Sequence, residues 1–350
     1  FGYIGIGGEV RNLIVDGLIT TDYKLAAGIC GRNQGVVANC VSLVSIYTSV
    51  SGDGTHAGIA AVSSGGAIIN CLSAVKIEGA VTENCGGIAG WCDTRTTMRN
   101  NLVLAEFNIK AVNGSGCISR NSGSIQNDGD NKGHYLQNFY LNKIGSDEGK
   151  GKQVTAEQLA SGEVCYLLNA GLATPQWTQK QGDAYPMPFP TYGQKVGASE
   201  ACDCLGRFAE GATPTFTFGG GAASETHTLE NGRCTKCGYF DFHAVPRDLD
   251  GYYLLSNADD CKWYNWRRYY GCDGVNARMT ADIDLGDAPY FTNNDNYCEG
   301  DFDGAGHSLT IALTDEPLEE SEVNEYGLKV QPYGAGNNCL FHNLAGSGKV

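Results

Sequence analysis

Along the first 130 residues the apolar positions fall into short strands of alternating pattern, each bounded by glycine. A Gly-Ile step opens each round, at Gly28-Ile29, Gly58-Ile59 and Gly87-Ile88, with Gly116-Cys117 as a degenerate fourth. A glycine turn follows, then an asparagine, then Leu or Cys ahead of the next apolar run. The asparagines are Asn12, Asn39, Asn70, Asn100 and Asn127, at spacings of 27, 31, 30 and 27 residues. Such a period is too long for a hairpin and has no helical patterning. Short Gly-bounded strands at this spacing predict one solenoid coil per repeat. The expected class is therefore mainly β, a right-handed parallel β-helix, with about four coils over residues 8–127.

Coils stacked at about 4.8 Å bring equivalent residues into ladders. Asn12, Asn39, Asn70 and Asn100 are the expected structural ladder, with Asn39 directly above Asn70. An inward asparagine can bond the amide above and below it, as stacked asparagines do in cross-β. Cys40 and Cys71 follow successive ladder asparagines, so they are expected one above the other, as stacked core residues or as a disulfide.

The segment Ala27-Gly28-Ile29-Cys30-Gly31-Arg32-Asn33-Gln34-Gly35-Val36-Val37-Ala38-Asn39-Cys40 resembles the GLUG motif, Gly-Gly-Leu-Val-Gly-x-Asn followed by Gly-x-Ile-x-Asn-Cys. The next coil departs from it, with Ala61-Val62-Ser63-Ser64 in place of Gly-x-Asn. GLUG repeats are similar to the β-helices of filamentous-haemagglutinin-like surface proteins of gut and other bacteria. The resemblance implies a secreted β-helix and assigns the motif no catalytic residue.

Residues 131–198 change character. Thr155-Ala156-Glu157-Gln158 is a capping box, and predicts a helix running to about Asn169, with Gly171 ending it. Trp177 and the proline-rich run at 185–190 read as an extended segment. The stretch around the helix resembles the segment that often follows GLUG β-helices, which implies an end cap over the edge of the solenoid.

Residues 199–245 form a cysteine-rich insert. Cys234-Thr235-Lys236-Cys237-Gly238 is half of a zinc ribbon, because two thiolates at this spacing reach one tetrahedral ion. Cys204 and His227 are the candidate further ligands. Cys202 and Cys204, one residue apart, make a poor second knuckle, so structural zinc and disulfides both stay open. Asn231-Gly232 ahead of the knuckle and Gly238 after it read as hairpin chemistry rather than as a redox helix start.

Residues 246–350 read as the opening portion of a following β-helix, with a strand at Tyr252–Asn257 and a helix from about Ala258 carrying Trp263 and Trp266. Asp282, Asp284 and Asp303 tempt a catalytic reading, but Asp282 and Asp284 share one strand face and Asp303-Gly304 is turn chemistry. Similar phrases stand at the start of the solenoid in β-helix surface proteins. The last ten residues align without gaps to the first ten: Phe341 with Phe1, Gly348 with Gly8, Val350 with Val10. Phe1, Val10, Phe341 and Val350 thus mark an expected junction at which one unit continues into the next, as separate copies or as tandem repeats of a longer chain.

Composition narrows the function. The 350 residues include 49 Gly and 15 Cys, and the net charge is −15. An acidic chain repels phosphate backbones, so nucleic acid is not an expected partner. Calcium would need clustered carboxylates on a loop, and only short Asp pairs occur. No apolar run reaches the length of a membrane span. Abundant cysteine fits an oxidising, extracellular compartment with disulfides, or a metal site plus disulfides. The expectation is a structural or adhesive cell-surface protein, a unit of a stalk or head-to-tail filament. It carries no catalytic residues and no cofactor beyond a structural zinc. Its partners would be further copies of itself, with host or bacterial glycans in second place. A carbohydrate-binding module using exposed Tyr and Trp, or a polysaccharide-degrading β-helix enzyme, are the alternatives.

Overall fold

The computed structural model describes residues 1–121, 134–270, 275–286, 297–298, 300–311, 325–326, 328 and 343–344. Among them no helix is long and apolar enough to cross a membrane. The fold is mainly β, with parallel strands stacked as a solenoid and few helices. The chain divides into two compact units, residues 1–127 with 133–227, and residues 128–132 with 228–350.

In the first unit each of the first four coils contributes one strand to each of four parallel sheets, and the later coils extend three of them. The first sheet stacks Tyr3–Ile4, Cys30–Asn33, Ala60–Ser63, Ala89–Cys92 and Ser119–Asn121. The second stacks Glu9–Arg11, Val36–Ala38, Ala67–Ile69, Thr97–Arg99 and Tyr135–Leu136. The third stacks Ile14–Val15, Val41–Ser42, Leu72–Ser73, Leu102–Val103, Phe139–Tyr140 and Lys152–Gln153. The fourth stacks Leu18–Thr21, Ser45–Thr48, Lys76–Glu83 and Glu106–Ala111. Coils therefore run on past residue 130, as far as Gln153. Inward rows such as Val10-Val37-Ile68-Met98-Tyr135 and Ile19-Ile46-Ile77-Phe107 form one apolar core. The Gly-Ile step has a packing cause. A Cβ on Gly28 would lie 2.1 Å from Ser42 Oγ, and one on Gly58 would lie 1.9 Å from Ser73 Oγ. Only glycine lets the first and third sheets approach this closely across the core.

The ladder asparagines serve the backbone, and here the structure departs from expectation. Asn12, Asn39, Asn70 and Asn100 turn the chain from the second sheet to the third with φ of 57°, 52°, 51° and 56°. Asparagine tolerates this left-handed conformation better than most residues. Successive turns are joined through the backbone, Asn39 N–H to Ile69 O and Asn70 N–H to Arg99 O. The side chains do not stack inward: Asn39 Nδ2 donates to Gln176 Oε1 and Pro188 O, and Asn100 Nδ2 to Leu168 O. Gln137, with φ of 53°, takes the same turn in the next coil, while Asn127 lies outside the described residues.

The inward row is the next position along: Cys40, Cys71, Asn101 and Asn138. Asn101 Nδ2 donates to Asn138 Oδ1 at 2.9 Å, and Cys71 N–H donates to Asn101 Oδ1 at 2.9 Å. Cys40 and Cys71 are buried free thiols and form no disulfide. Burial pushes the Cys71 thiol up, while a hydrogen bond from Cys71 holds Cys40 down. Cys30, Cys85, Cys92 and Cys117 are likewise buried free thiols, with Cys30 pushed up to about 12 by burial. The expected disulfide framework is thus replaced, in the coils, by cysteines used as small apolar core residues.

The segment expected as an end cap lies instead along the outer face of the third sheet. The outward row Val41-Leu72-Leu102-Phe139 shares one buried cluster with Leu159, Val164, Leu168 and Trp177. The predicted helix is split into α1 (Ala156–Ala160) and α2 (Glu163–Leu168) by Gly162, whose φ is 87°. The capping box at Thr155 is formed, with Gln158 N–H donating to Thr155 Oγ1 and Thr155 N–H to Gln158 Oε1. Asn169 Oδ1 accepts from Gln176 and Trp177 N–H, and the Trp177 indole donates to Asn100 O at 3.1 Å.

The second unit, beyond one antiparallel hairpin, also pairs strands in parallel. Tyr253–Leu255, Ala277–Met279 and Phe302–Asp303 form one sheet, and Ile283–Asp284 pairs with Leu309–Thr310. Helix α3 (Ala258–Tyr269) starts on Asn257, whose side chain accepts from Asp260 N–H. It buries Trp263, which stacks on Phe240. Phe341 and Val350 lie outside the described residues.

Candidate metal centre

Each donor of the cysteine-rich segment is positioned by a local device. Asp203 ties a tight loop beyond Cys204: its Oδ1 accepts from Leu205 and Arg207 N–H, and its own N–H donates to Arg207 O. Cys202 enters the apolar cluster that includes α2, whereas Cys204 stands where the chain bends into the loop tied by Asp203 and so leaves that face for the donor cluster. This is why Cys-x-Cys supplies one donor rather than two. His227 is held by its N–H to Gly171 O, and a Cβ on Gly171 would lie 2.3 Å from the imidazole. Gly171, left-handed at φ 85°, therefore makes the room in which the ring sits.

Cys234 and Cys237 come from the hairpin that the sequence predicts. Leu229–Glu230 pairs antiparallel with Arg233–Cys234 across Asn231-Gly232, both at positive φ. This is the backbone of a two-residue primed turn. Gly238 N–H returns to Cys234 O at 2.9 Å, and Tyr239 N–H points at Cys237 Sγ at 3.5 Å. Cys204, Cys234 and Cys237 are buried and His227 is half-buried. Their ligand atoms, three Sγ and one imidazole nitrogen, all lie within 4.8 Å of one another.

Three thiols and an imidazole are a donor set for a borderline-soft, tetrahedral ion. Zinc with Zn–S bonds of about 2.3 Å sets its sulfurs about 3.8 Å apart, within the 4.8 Å that spans the donor atoms. A disulfide would use two of the thiols and leave the third beside the histidine. The residues thus fit a closed structural metal site with four protein donors. This cluster could hold a metal.

The other candidate groups stay apart from it. Asp282 Oδ1 accepts from Ser308 N–H and lies 3.5 Å from His307 Nδ1. Asp284 Oδ1 accepts from Gly286 N–H. Asp303 takes Arg278 Nε on one oxygen and Ala305 N–H on the other, and the Arg278 bond holds its carboxyl below the usual range. These acids secure turns and an ion pair. His56 is a buried histidine that the sequence did not signal. Its Nδ1 accepts from Ala26 N–H at 3.2 Å, so Nε2 carries the proton and donates to Thr48 Oγ1 at 2.9 Å. Burial holds it down at about 4. In that tautomer it cannot take a proton from Thr48.

No protein-family model and no curated protein matches the chain. Among solved structures it is similar to one named "a putative immunoglobulin A1 protease from Bacteroides ovatus", at 21% identity and a TM-score of 0.38. The match covers 54% of this chain and 62% of that one, so this chain spans less than two thirds of that protein. That name points to an enzyme and overturns the expectation of a chain without enzymatic activity. At this identity and TM-score nothing of that protein's reaction passes to this chain.

Proposed function

We propose that this chain is a structural and adhesive unit of an extracellular, GLUG-like bacterial surface protein, in which solenoid coils continue from one unit to the next. The observation that supports this is the stacking itself: the sheets of the first unit grow by parallel strands from coil to coil, each in register with the last. A stack of this kind is a template for further strands of the same kind, and a contact of this heterologous type extends instead of closing. Ile14 and Leu18 stand on its outward rows, exposed by 52% and 65%.

The test is light scattering and electron microscopy of the full chain over rising concentration, beside the double variant Ile14→Lys/Leu18→Lys. Head-to-tail oligomers that the variant abolishes are expected. A stable monomer at high concentration would refute the reading.

The Cys204-His227-Cys234-Cys237 cluster is, in this reading, a structural zinc site. The Gly-rich segment from 205 to 226 has little core of its own, and small segments of that kind depend on such a staple. Metal analysis of native protein should give about one zinc per chain, lost in Cys237→Ser. Reactive, solvent-accessible thiols at Cys234 and Cys237 in metal-free folded protein would exclude it.

A further inference from the structure

The fourth sheet carries a feature that neither assembly nor metal binding uses. Its outward row, Thr20-Tyr47-Glu78-Asn108, is in strict register across four coils. With Asp22 and Ser49 beside it, this row lines an open groove of about 610 Å³. That volume is in the range of ligand sites. Crossing four strands, it runs for about 14 Å, three strand spacings, along the coil axis.

The chemistry of the walls selects the ligand. Asp22 and Glu78 line the groove and no Lys or Arg does, so an anionic ligand is disfavoured. Asn108 Nδ2 donates to Glu78 Oε2 at 2.7 Å, which fixes the carboxylate as a directed acceptor. The hydroxyls of Thr20, Tyr47 and Ser49 make no hydrogen bond within the described residues, and Tyr47 presents its ring 51% exposed. The backbone beneath is already paired strand to strand, so no edge is offered to an extended peptide. What remains is an aromatic platform flanked by hydroxyl, amide and carboxylate groups, set along a line.

We infer that this groove binds an extended, neutral oligosaccharide lying along the coil axis. The apolar face of one sugar ring rests on Tyr47, and its hydroxyls are read by Glu78, Asn108 and the threonine and serine hydroxyls. This inference is independent of the assembly reading: a monomeric protein that binds would sustain it while sinking the other.

The test is calorimetric titration of the full chain with cellohexaose, xylohexaose and mannohexaose, with polygalacturonate and spermine as charged controls. At least one neutral hexasaccharide should bind, and Tyr47→Ala should weaken it about tenfold, a change of about 1.4 kcal/mol. Tyr47 is on the surface, so the variant should melt with the parent; Glu78→Gln, also folded, should weaken the same ligand. Absence of binding by all three neutral sugars overturns the inference. So does binding undiminished in Tyr47→Ala, or a preference for either charged control.

Discussion

The third and fourth sheets pass through the same coils and share one core, yet their outer faces have opposite fates. On the third, Ile14, Val41, Leu72, Leu102 and Phe139 are in register and apolar. From Val41 onward they are buried beneath α1, α2 and Trp177, whereas Ile14 is 52% exposed. On the fourth, the corresponding rows are Leu18-Ser45-Lys76-Glu106 and Thr20-Tyr47-Glu78-Asn108, and they remain open. The inward rows differ too, Val15-Ser42-Ser73-Val103-Tyr140 on the third and Ile19-Ile46-Ile77-Phe107 on the fourth, but both face the shared core. What covers a face of this solenoid is therefore written in its outward row: apolar rungs recruit the flanking segment, and polar ones leave a groove.

The strongest way to break this contrast is to place a charge in each outward row. Leu102→Asp should cost at least about 4 kcal/mol, from lost burial and an unpaired carboxylate beneath the flanking helices. Thr20→Asp should stay within about 0.5 kcal/mol. Urea unfolding of both variants measures it; equal losses would show that the flanking segment is not what the apolar row is buried against.

A smaller effect should appear on acidification, because His56 sits behind the open face as a buried neutral ring. Its folded pKa of about 4 lies below the ordinary value near 6.5, so the unfolded chain binds the extra proton first. Its contribution is complete above about pH 6.5 and is lost as pH falls from there through about 4, on the order of 3 kcal/mol. Unfolding midpoints of the parent and His56→Gln across that window should converge toward the acid end. Parallel profiles would leave His56 out of the acid response.

The smallest effect separates two turns of one ladder. Asn100 donates to Leu168 O beneath α2, whereas Asn12 is exposed on the first coil. Asn100→Gly keeps the left-handed turn but leaves that carbonyl without its donor, costing about 1 kcal/mol. Asn12→Gly should be nearly neutral. If thermal melts shift alike, the side-chain bond to the flanking segment contributes nothing.

Much of this fold is legible along the chain because its determinants are local. The roughly thirty-residue period, the Gly-Ile step, the capping box at Thr155 and the Asn231-Gly232 hairpin each act within a few residues. Solenoid coils also contact mainly their neighbours in sequence, so a repeat predicts its own stacking. Three of the four candidate donors, His227, Cys234 and Cys237, are close in sequence for the same reason, on the hairpin and the residues flanking it. What was misread lies one residue away. The inward amide row is Asn101-Asn138, not the Asn100 row, and Gln137 fills the turn that an asparagine was expected to fill.

By itself, then, the sequence determined the solenoid, its period and the residue types able to hold a metal, since these follow from propensity and spacing. Only the tertiary structure decided that the 155–198 segment lies along a flank, that Cys202 enters a core while Cys204 meets His227, and that Thr20, Tyr47, Glu78 and Asn108 form one wall. Those neighbours are about thirty residues apart in sequence, and a register shift of a single residue would exchange inside for outside.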